Sequence, residues 1–277
     1  MEVQNTVELE VNRRVRAVTE RPGTLREGSG EPLVLLHGVT GTARMWQRVL
    51  PLLAPFHEVI APTALGHHGG PPAELRPVRI EHITDDIERW LDQAGLERVH
   101  LAGNSMGGWV ALELARRGRA RSVCALSPAG AWVGDDQQHA VRKLRAIVAQ
   151  ARGGRWLLPL LARSSGFRRL ALRDTVSRGD RVSASELLDL TDSLLGCEVR
   201  EDLFGTDEAL TPLTASCPIS LIWAGEDRIF PPAVFGERAR KLVPGARFTI
   251  MQGVGHVPML EQPELIAAAI LRSTEGA

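Results

Sequence analysis

Short apolar runs, each long enough for one buried strand, recur along the chain and end at turn-forming residues. Such runs are typical of strands that are covered on both faces of a sheet. The predicted strands are Leu33–Leu36, Glu58–Ala61, Val99–Ala102, Ser122–Leu126, Ile219–Ala224 and Ala246–Met251. Alternating apolar and polar residues from Val7 to Thr19 also predict a half-buried hairpin at the start of the chain.

Helical patterns separate these strands. Apolar residues recur at helical spacing from Ile80 to Leu91, and an Ala- and Leu-rich helix is predicted from about Met106 to Arg117. Further helices are predicted to begin near Pro231 and at about Pro263. Strands that alternate with helices indicate an α/β protein with a mostly parallel central sheet and helices on both faces.

The pattern changes between Ala131 and Thr214, where no strand-like run occurs. Helical spacing recurs around Val141–Ala149, Trp156–Ala162 and Phe167–Leu172. The capping-box sequence Ser183–Glu186 predicts a further helix, which Gly196 can close. We therefore expect a helical insertion in an α/β core. The predicted domains are a core of residues 1–130 and 215–277 and an insertion of residues 131–214.

Charge and cysteine content narrow the possible partners. The 277 residues carry 33 Lys and Arg against 33 Asp and Glu, so the chain lacks the basic excess that nucleic-acid binding requires. Cys124, Cys197 and Cys217 form no CxxC pair and have no histidine at zinc-finger spacing, so we expect free thiols and no metal site.

The N-terminal residues lack the apolar centre of a secretory signal, and no stretch approaches the roughly 18 apolar residues of a membrane span. The cytoplasm is the expected compartment. Tyrosine is absent, and lysine occurs only at Lys143 and Lys241. Chemistry is therefore expected from Ser, His, Asp, Glu or Cys side chains.

A candidate nucleophile follows the third predicted strand. The sequence Gly103-Asn-Ser-Met-Gly107 fits the pattern G-x-S-x-G, and it stands where a strand meets a helix. In that context the pattern is typical of a nucleophile elbow, a tight turn that projects the serine hydroxyl from the sheet edge. The alternative is a Gly-Ser turn that merely caps the helix. We expect Ser105 to be the nucleophile.

A serine nucleophile needs a general base, and the base needs an acceptor that fixes its tautomer. Among eight histidines, His256 stands in a glycine-containing loop after the last strand, and this loop can bend back over the sheet edge. Asp227 directly follows a buried strand at the same edge, and we prefer it to the neighbouring Glu226. The alternatives are a structural loop histidine and an aspartate that caps the helix near Pro231.

Acyl transfer also needs backbone donors for the oxyanion of the tetrahedral intermediate. The N–H of Met106, directly after the nucleophile, is one candidate. The N–H of Val39, in the glycine-containing loop His37–Gly41, is the other. The alternative for that loop is an ordinary turn at the end of a strand.

Taken together, Ser105, Asp227 and His256 in that chain order, with His37 upstream, resemble the α/β-hydrolase superfamily over nearly the whole chain. The sequences HGVTG and GNSMGG are similar to motifs of bacterial carboxylesterases and monoacylglycerol lipases. The helical insertion resembles the superfamily's cap domain, with a length closer to the caps of cofactorless C–C bond hydrolases and epoxide-hydrolase-like members. The resemblance implies an α/β-hydrolase fold with an inserted helical cap.

Two positions depart from many members of that superfamily. Many relatives carry an aspartate followed by Gly-His-Gly in the loop after the second core strand, whereas the loop Ala61–Gly70 of this chain has no aspartate, and Ala224 stands where glycine is common. In addition, Ser105 argues against the haloalkane dehalogenases and epoxide hydrolases of the superfamily, which attack with aspartate.

The leading hypothesis is a serine hydrolase that cleaves a carboxylic ester or lactone of a small apolar molecule through an acyl-enzyme, without a cofactor. One alternative is a C–C bond hydrolase of a diketone or dienone-type acid that uses the same triad. Another is a non-catalytic small-molecule receptor on the same fold. The oligomeric state stays open.

Within the insertion, the run Arg155–Ala162 and Phe167 are predicted to line an acyl pocket above Ser105, with Trp156 or its neighbours in contact with substrate; packing of this apolar stripe onto the core is the alternative. The clustered arginines of the insertion are interpreted as a solvated helix face rather than as a site for an anionic substrate. They include Arg142, Arg145, Arg152, Arg168 and Arg169.

Overall fold

The computed structural model describes residues 21–214 and 216–275, and the hairpin predicted from Val7 to Thr19 lies outside them. The strands are β1 (Leu25–Glu27), β2 (Pro32–Leu36), β3 (Glu58–Ala61), β4 (Val99–Asn104), β5 (Ala120–Leu126), β6 (Ile219–Ala224) and β7 (Arg247–Met251). They form one sheet in the order β1-β3-β2-β4-β5-β6-β7. The pairing is parallel throughout, except that β1 runs antiparallel to β3.

The central strands are buried on both faces, as their apolar runs predict. In β2, Leu33 and Leu35 pack into the core on one face of the sheet, while Val34 and Leu36 pack into the core on the other. This alternation follows from the two-residue period of a strand. Each face therefore needs its own cover of helices, and the predicted α/β architecture is confirmed.

Helices cover both faces of the sheet. Those of the α/β core are α1 (Leu50–Leu53), α2 (Ile80–Gln93), α3 (Met106–Arg116), and, later in the chain, helices over Glu237–Leu242 and Pro263–Thr274. Side chains of α2 and α3 pack against the face that carries Val34, whereas those of α1 and the last helix pack against the face that carries Leu35.

Five α-helices, a 3₁₀ turn over Gly179–Arg181 and no strand occur in the described residues between β5 and β6. The five α-helices are α4 (Asp136–Gly154), α5 (Leu158–Leu161), α6 (Ser165–Ala171), α7 (Ala184–Gly196) and α8 (Arg200–Phe204), and the two core helices that follow are α9 (Glu237–Leu242) and α10 (Pro263–Thr274). The capping box predicted for α7 is present, because Ser183 and Glu186 each accept the other's backbone N–H. We call residues 131–214 the helical segment. Its status as a separate domain stays a prediction.

Three features differ from the sequence prediction. The helix predicted near Pro231 starts as a π-helical turn over Pro232–Gly236 before it continues as α9. Strand β1 and helix α1 were not predicted. β1 is a short, mostly exposed edge strand of sequence LRE, so it carries no apolar period and is held by backbone pairing to β3.

The sheet brings the predicted site loops to one edge. From β2 the chain adds β3 on one side, and from β4 it adds β5, β6 and β7 on the other side, so the direction of the strand order reverses between β2 and β4. In α/β sheets, ligands bind outside the carboxyl ends of the strands at such a reversal. The loops after β2, β4, β6 and β7 hold, in that order, Val39, Ser105, Asp227 and His256.

No helix within residues 21–214 and 216–275 is long and apolar enough to cross a membrane. Over the same ranges, no group of three or more His, Cys, Asp or Glu side chains is placed so as to hold a metal ion.

Candidate active site

Ser105 occupies a backbone conformation that residues with a side chain rarely adopt. Its φ is 55° and its ψ is −116°, between the end of β4 and the start of α3. Its N–H donates to the carbonyl of Leu126 at 2.9 Å, and its own carbonyl accepts the N–H of Ala129 at 3.0 Å. Such backbone strain costs on the order of 1–3 kcal/mol and persists only where surrounding contacts enforce it.

Two glycines make this turn possible. A Cβ atom at Gly107 would overlap the carbonyl oxygen of Leu36 in β2, and one at Gly103 would overlap the carbonyl oxygen of Gly107. The turn therefore packs backbone against backbone, which a larger residue at either position would prevent. This packing supports the predicted nucleophile elbow.

Asp227 and His256 form a buried pair. The Nδ1 atom of His256 lies 2.6 Å from Oδ2 of Asp227. The other carboxylate oxygen of Asp227 accepts the N–H groups of Ile229 at 2.9 Å and Phe230 at 2.7 Å. A carboxylate held in this way accepts the Nδ1–H of the imidazole, which leaves Nε2 as the basic atom. The competing carboxylate of Glu226 is exposed.

The main chain around His256 is fixed by two buried polar side chains that sequence reasoning missed. The amide of Asn104 donates to the carbonyls of His256 at 2.9 Å and of Leu126 at 3.2 Å. The carboxylate of Glu261 accepts the N–H of Gly255 at 2.6 Å through one oxygen and that of Arg178 at 2.6 Å through the other.

Glu261 thus joins the loop of His256 to the helical segment. The sequence held no signal for this role, because the carboxylate and its partner Arg178 are 83 positions apart. For Asn104, its position directly before the nucleophile could have drawn attention to it. Its role could not be predicted, because its partner His256 is 152 positions away in the sequence.

His37 fixes the loop that holds Val39. Its Nδ1–H donates to the carbonyl of Gly38 at 2.8 Å, and its Nε2 accepts the N–H of Ala64 at 2.9 Å. This pair of bonds requires the neutral imidazole. Burial, and secondarily the neighbouring His67, lower the pKa of His37 to about 3, so the ring stays neutral over the physiological range.

The predicted oxyanion donors lie beside the nucleophile. A Cβ atom added to Gly38 would stand 3.3 Å from Cβ of Ser105, so the loop after β2 passes close to the serine. Val39 and Met106 line the same cavity as Ser105. Among the described residues, the N–H groups of Val39 and Met106 have no acceptor. Both donors are therefore available to a ligand.

These groups surround a cavity of about 530 Å³ between the sheet edge and the helical segment. The core contributes Ser105, His256, Trp109 and Phe230, whereas the helical segment contributes apolar side chains. Those side chains include Val141, Leu144, Leu158, Leu161, Phe167 and Leu187. The volume and the apolar walls are typical of a site for a small organic molecule.

The structure does not support the predicted substrate contact of Trp156. Its side chain is 80% exposed and lies outside the residues that line the cavity. At the start of α5 it is Leu158, two residues further along, that points inward. Of the predicted arginine cluster, none lines the cavity, and Arg173 is the arginine found there. The interpretation of the cluster as a solvated face fits this placement.

Comparison with known proteins identifies the family. A profile of the "Alpha/beta hydrolase family" matches residues 33–269, which is most of the chain and spans the whole sheet from β2 onwards. The chain belongs to the alpha/beta hydrolase family. This hydrolase is 36% identical over 203 residues to the epoxide hydrolase EphH of Mycobacterium tuberculosis, a match that covers 68% of this chain and 91% of the relative.

The hydrolase is also similar in sequence to a carboxylesterase and in fold to an enol-lactonase. It is 27% identical over 245 residues to carboxylesterase YbfK of Bacillus subtilis, which covers 86% of this chain and 78% of the relative. Among solved structures, the enol-lactonase of Burkholderia xenovorans LB400 superposes with a TM-score of 0.69 at 19% identity, over 91% of this chain and 95% of that one. The last likeness concerns the fold alone.

Proposed function

We propose that this protein is a serine hydrolase that cleaves a carboxylic ester or lactone through an acyl-enzyme on Ser105. One observation carries the proposal: Ser105, on its strained turn, shares an apolar cavity with His256, whose Nδ1 is held by the buried carboxylate of Asp227. This combination supports a nucleophile, a base and an orienting acid in a single site.

In the proposed reaction, Nε2 of His256 removes the hydroxyl proton as Oγ of Ser105 attacks the carbonyl carbon of the substrate. The amides of Val39 and Met106 donate to the oxyanion that forms. The imidazolium, stabilised by Asp227, then protonates the leaving alkoxide. In the second half of the reaction, His256 removes a proton from water as the water attacks the carbonyl carbon of the acyl-enzyme. His256 then returns the proton to Oγ of Ser105, and the acid product and free serine are released. The scheme needs no cofactor.

The walls of the cavity favour an apolar acyl or alcohol group. Trp109 and Phe230 from the core and Leu144 and Phe167 from the helical segment line the cavity. Burial of an apolar group among them is favourable by about 25 cal/mol per Å². We propose that the helical segment serves as a cap over the site, since it supplies most of these apolar side chains. A small or medium apolar ester is the substrate class that fits this volume.

Epoxide hydrolysis is the second candidate, because the relative in Mycobacterium tuberculosis carries that name. The chemistry of Ser105 disfavours it. A carboxylate that opens an epoxide forms an ester, which water then cleaves at the carbonyl. A serine that opened an epoxide would form an ether, which has no carbonyl for water to attack, and the enzyme would be blocked after one turnover.

The test compares the wild type with Ser105→Ala on p-nitrophenyl esters from acetate to palmitate, by release of the phenol. Ser165→Ala, which removes an exposed hydroxyl outside the cavity, is the matched control. We expect Ser105→Ala to lose about a thousandfold or more in kcat and the control to keep full activity. The acyl-chain length of the ester that is hydrolysed fastest measures the usable depth of the cavity.

Two outcomes would contradict the proposal. Retention of most ester hydrolysis by Ser105→Ala would exclude Ser105 as nucleophile. Multiple turnovers of styrene oxide by the wild type, with no ester hydrolysis, would favour the epoxide reaction instead.

A further inference from the structure

One stretch of the helical segment concentrates the positive charge of the molecule. Residues 137–173 contain nine of the 33 lysine and arginine residues and none of the 33 aspartate and glutamate residues. The whole chain has zero net charge. The basic stretch is therefore a local feature, and the rest of the chain carries the balancing acid.

Acids from outside the stretch neutralise part of this charge. Arg145 pairs with Glu201, Arg155 with Asp192, and Arg169 with Asp180. Arg142, Arg152 and Arg163 are exposed and, among the described residues, have no carboxylate within ion-pair distance. A net positive surface remains.

Large apolar side chains protrude among these arginines. Trp156 is 80% exposed, Leu160 is 64% exposed and Leu170 is 58% exposed. By contrast, Trp46, Trp90, Trp109 and Trp223 are each at most 6% exposed. We call residues 152–173 the basic apolar surface. Arginine together with protruding Trp and Leu is the composition of segments that lie in the headgroup layer of a membrane.

The basic apolar surface borders the mouth of the cavity. Leu170 and Arg173 are exposed and also line the cavity, and so does Gln150, near the end of α4. The cavity therefore reaches solvent between α4 and α6, beside Leu170, which is one of the protruding side chains. An apolar molecule dissolved in lipid would reach Ser105 by this opening.

We propose that the basic apolar surface docks on the headgroup layer of an anionic phospholipid bilayer. Trp156, Leu160 and Leu170 insert among the lipids, while the unpaired Arg152 and Arg163 bind lipid phosphates. The apolar side chains protrude from a turn, from α5 and from α6, and a fluid bilayer accepts scattered protrusions without a complementary pocket. A folded acidic protein would need a shape that fits them, so the bilayer is favoured.

The docking does not depend on the proposed ester hydrolysis, since it is measured without turnover. Purified protein is sedimented with vesicles of pure phosphatidylcholine, and with vesicles that contain about one third phosphatidylglycerol, at low and high salt. The Arg152→Glu/Arg163→Glu variant tests the surface. Lys241→Glu/Arg247→Glu makes the same charge change at two exposed, unpaired positions of the core and is the matched control.

We expect the wild type to bind the anionic vesicles at least tenfold more tightly than the neutral ones, and to lose this preference at high salt. Arg152→Glu/Arg163→Glu should weaken binding at least tenfold, because each basic residue near an anionic surface contributes about a fivefold gain in affinity. The control should stay within about twofold of the wild type. Hydrolysis of soluble p-nitrophenyl acetate by the surface variant should be unchanged, since neither arginine lines the cavity.

Tryptophan emission reports the orientation. Lipids with brominated acyl chains should quench the tryptophan emission of the wild type. The Trp156→Phe variant should lose this quenching but should still sediment with the vesicles. Equal binding to anionic and neutral vesicles, or equal loss of binding in the control variant, would overturn the proposal. Retention on immobilised acyl carrier protein without vesicle binding would also overturn it and assign the surface to an acidic protein.

Discussion

Oδ2 of Asp227 lies 2.6 Å from Nδ1 of His256, and the exposed fraction of neither side chain exceeds 6%. The second oxygen of Asp227 is bound by two backbone N–H groups, so the carboxylate has one orientation. This relationship fixes which ring nitrogen of His256 faces the cavity.

Asp227→Asn is therefore expected to inactivate the enzyme while the fold persists. The amide oxygen can still accept from Ile229 and Phe230, but the amide NH₂ then faces Nδ1 of His256 and forces the proton onto Nε2. The ring loses its basic atom towards Ser105, and we expect kcat for a p-nitrophenyl ester to fall roughly a thousandfold to ten-thousandfold. The melting temperature is measured beside it.

Glu226→Gln is the control for this prediction, because Glu226 is the adjacent, exposed carboxylate. It should keep nearly full activity. Equal inactivation by both variants would show that Asp227 is not the orienting acid.

Glu261→Gln tests the link between the loop of His256 and the helical segment. The amide keeps one acceptor oxygen, so either the N–H of Gly255 or that of Arg178 loses its bond. Leaving a buried donor unpaired costs about 1–3 kcal/mol of the free energy of unfolding, which denaturant titration measures. We expect kcat to fall more than KM changes, since the loop orients His256 rather than the bound substrate.

The matched change Glu264→Gln removes an exposed carboxylate three residues away. It should leave the free energy of unfolding and kcat near their wild-type values. A Glu261→Gln protein as stable and active as this control would refute the positioning role.

Gly107→Ala is expected to disrupt the turn that carries Ser105. The added methyl group would overlap the carbonyl oxygen of Leu36, whose strand β2 is paired to β3 on one side and to β4 on the other. We expect loss of several kcal/mol of stability or failure to fold, as judged by circular dichroism and thermal unfolding. Gly153→Ala, in a helix with no atom near the new methyl group, should instead leave stability unchanged or raise it by up to about 1 kcal/mol.

Stability should fall in mild acid because of His37 and His67. Burial lowers the pKa of His37 to about 3 and that of His67 to about 4, whereas both rings take up protons near pH 6.5 in the unfolded chain. The unfolded state then binds more protons below pH 6.5, so the stabilisation is complete above that pH and is lost as the pH falls towards 4. Each ring contributes up to about 1.4 kcal/mol per pH unit.

Urea titrations from pH 7 to pH 4.5 measure the slope of the free energy of unfolding against pH. His67→Gln should reduce it, since one of the two buried rings is removed. His139→Gln, which changes an exposed side chain, should not. An identical slope in the wild type and His67→Gln would exclude His67 from the acid response.

The fold could be predicted from local patterns because burial on both faces makes the strands of a parallel sheet continuously apolar. Leu33–Leu36 and Val99–Ala102 are such runs, and each lies within an observed strand. Strand β1 was not predicted because it is short and two of its three residues are polar and exposed; pairing to β3 and the ion pair between Arg26 and Glu58 hold it at the sheet edge.

The site could be predicted where neighbouring residues in the sequence indicate the backbone geometry. The turn at Ser105 requires glycines on both sides, and these glycines are visible in the sequence motif itself. Asn104 and Glu261 escaped because their partners are distant in sequence. Trp156 was placed in the pocket by composition alone. It lies in the turn before α5, where its side chain is exposed while that of Leu158 is buried, and the sequence does not say which of these apolar residues turns inward.

Labelling by a fluorophosphonate, followed by mass spectrometry of the peptides, tests the central claim most directly. The proposed mechanism predicts one adduct on the peptide that contains Ser105 in the wild type, none on that peptide in Ser105→Ala, and labelling slowed about a thousandfold in His256→Ala. An adduct on another residue, with ester hydrolysis retained by Ser105→Ala, would contradict it.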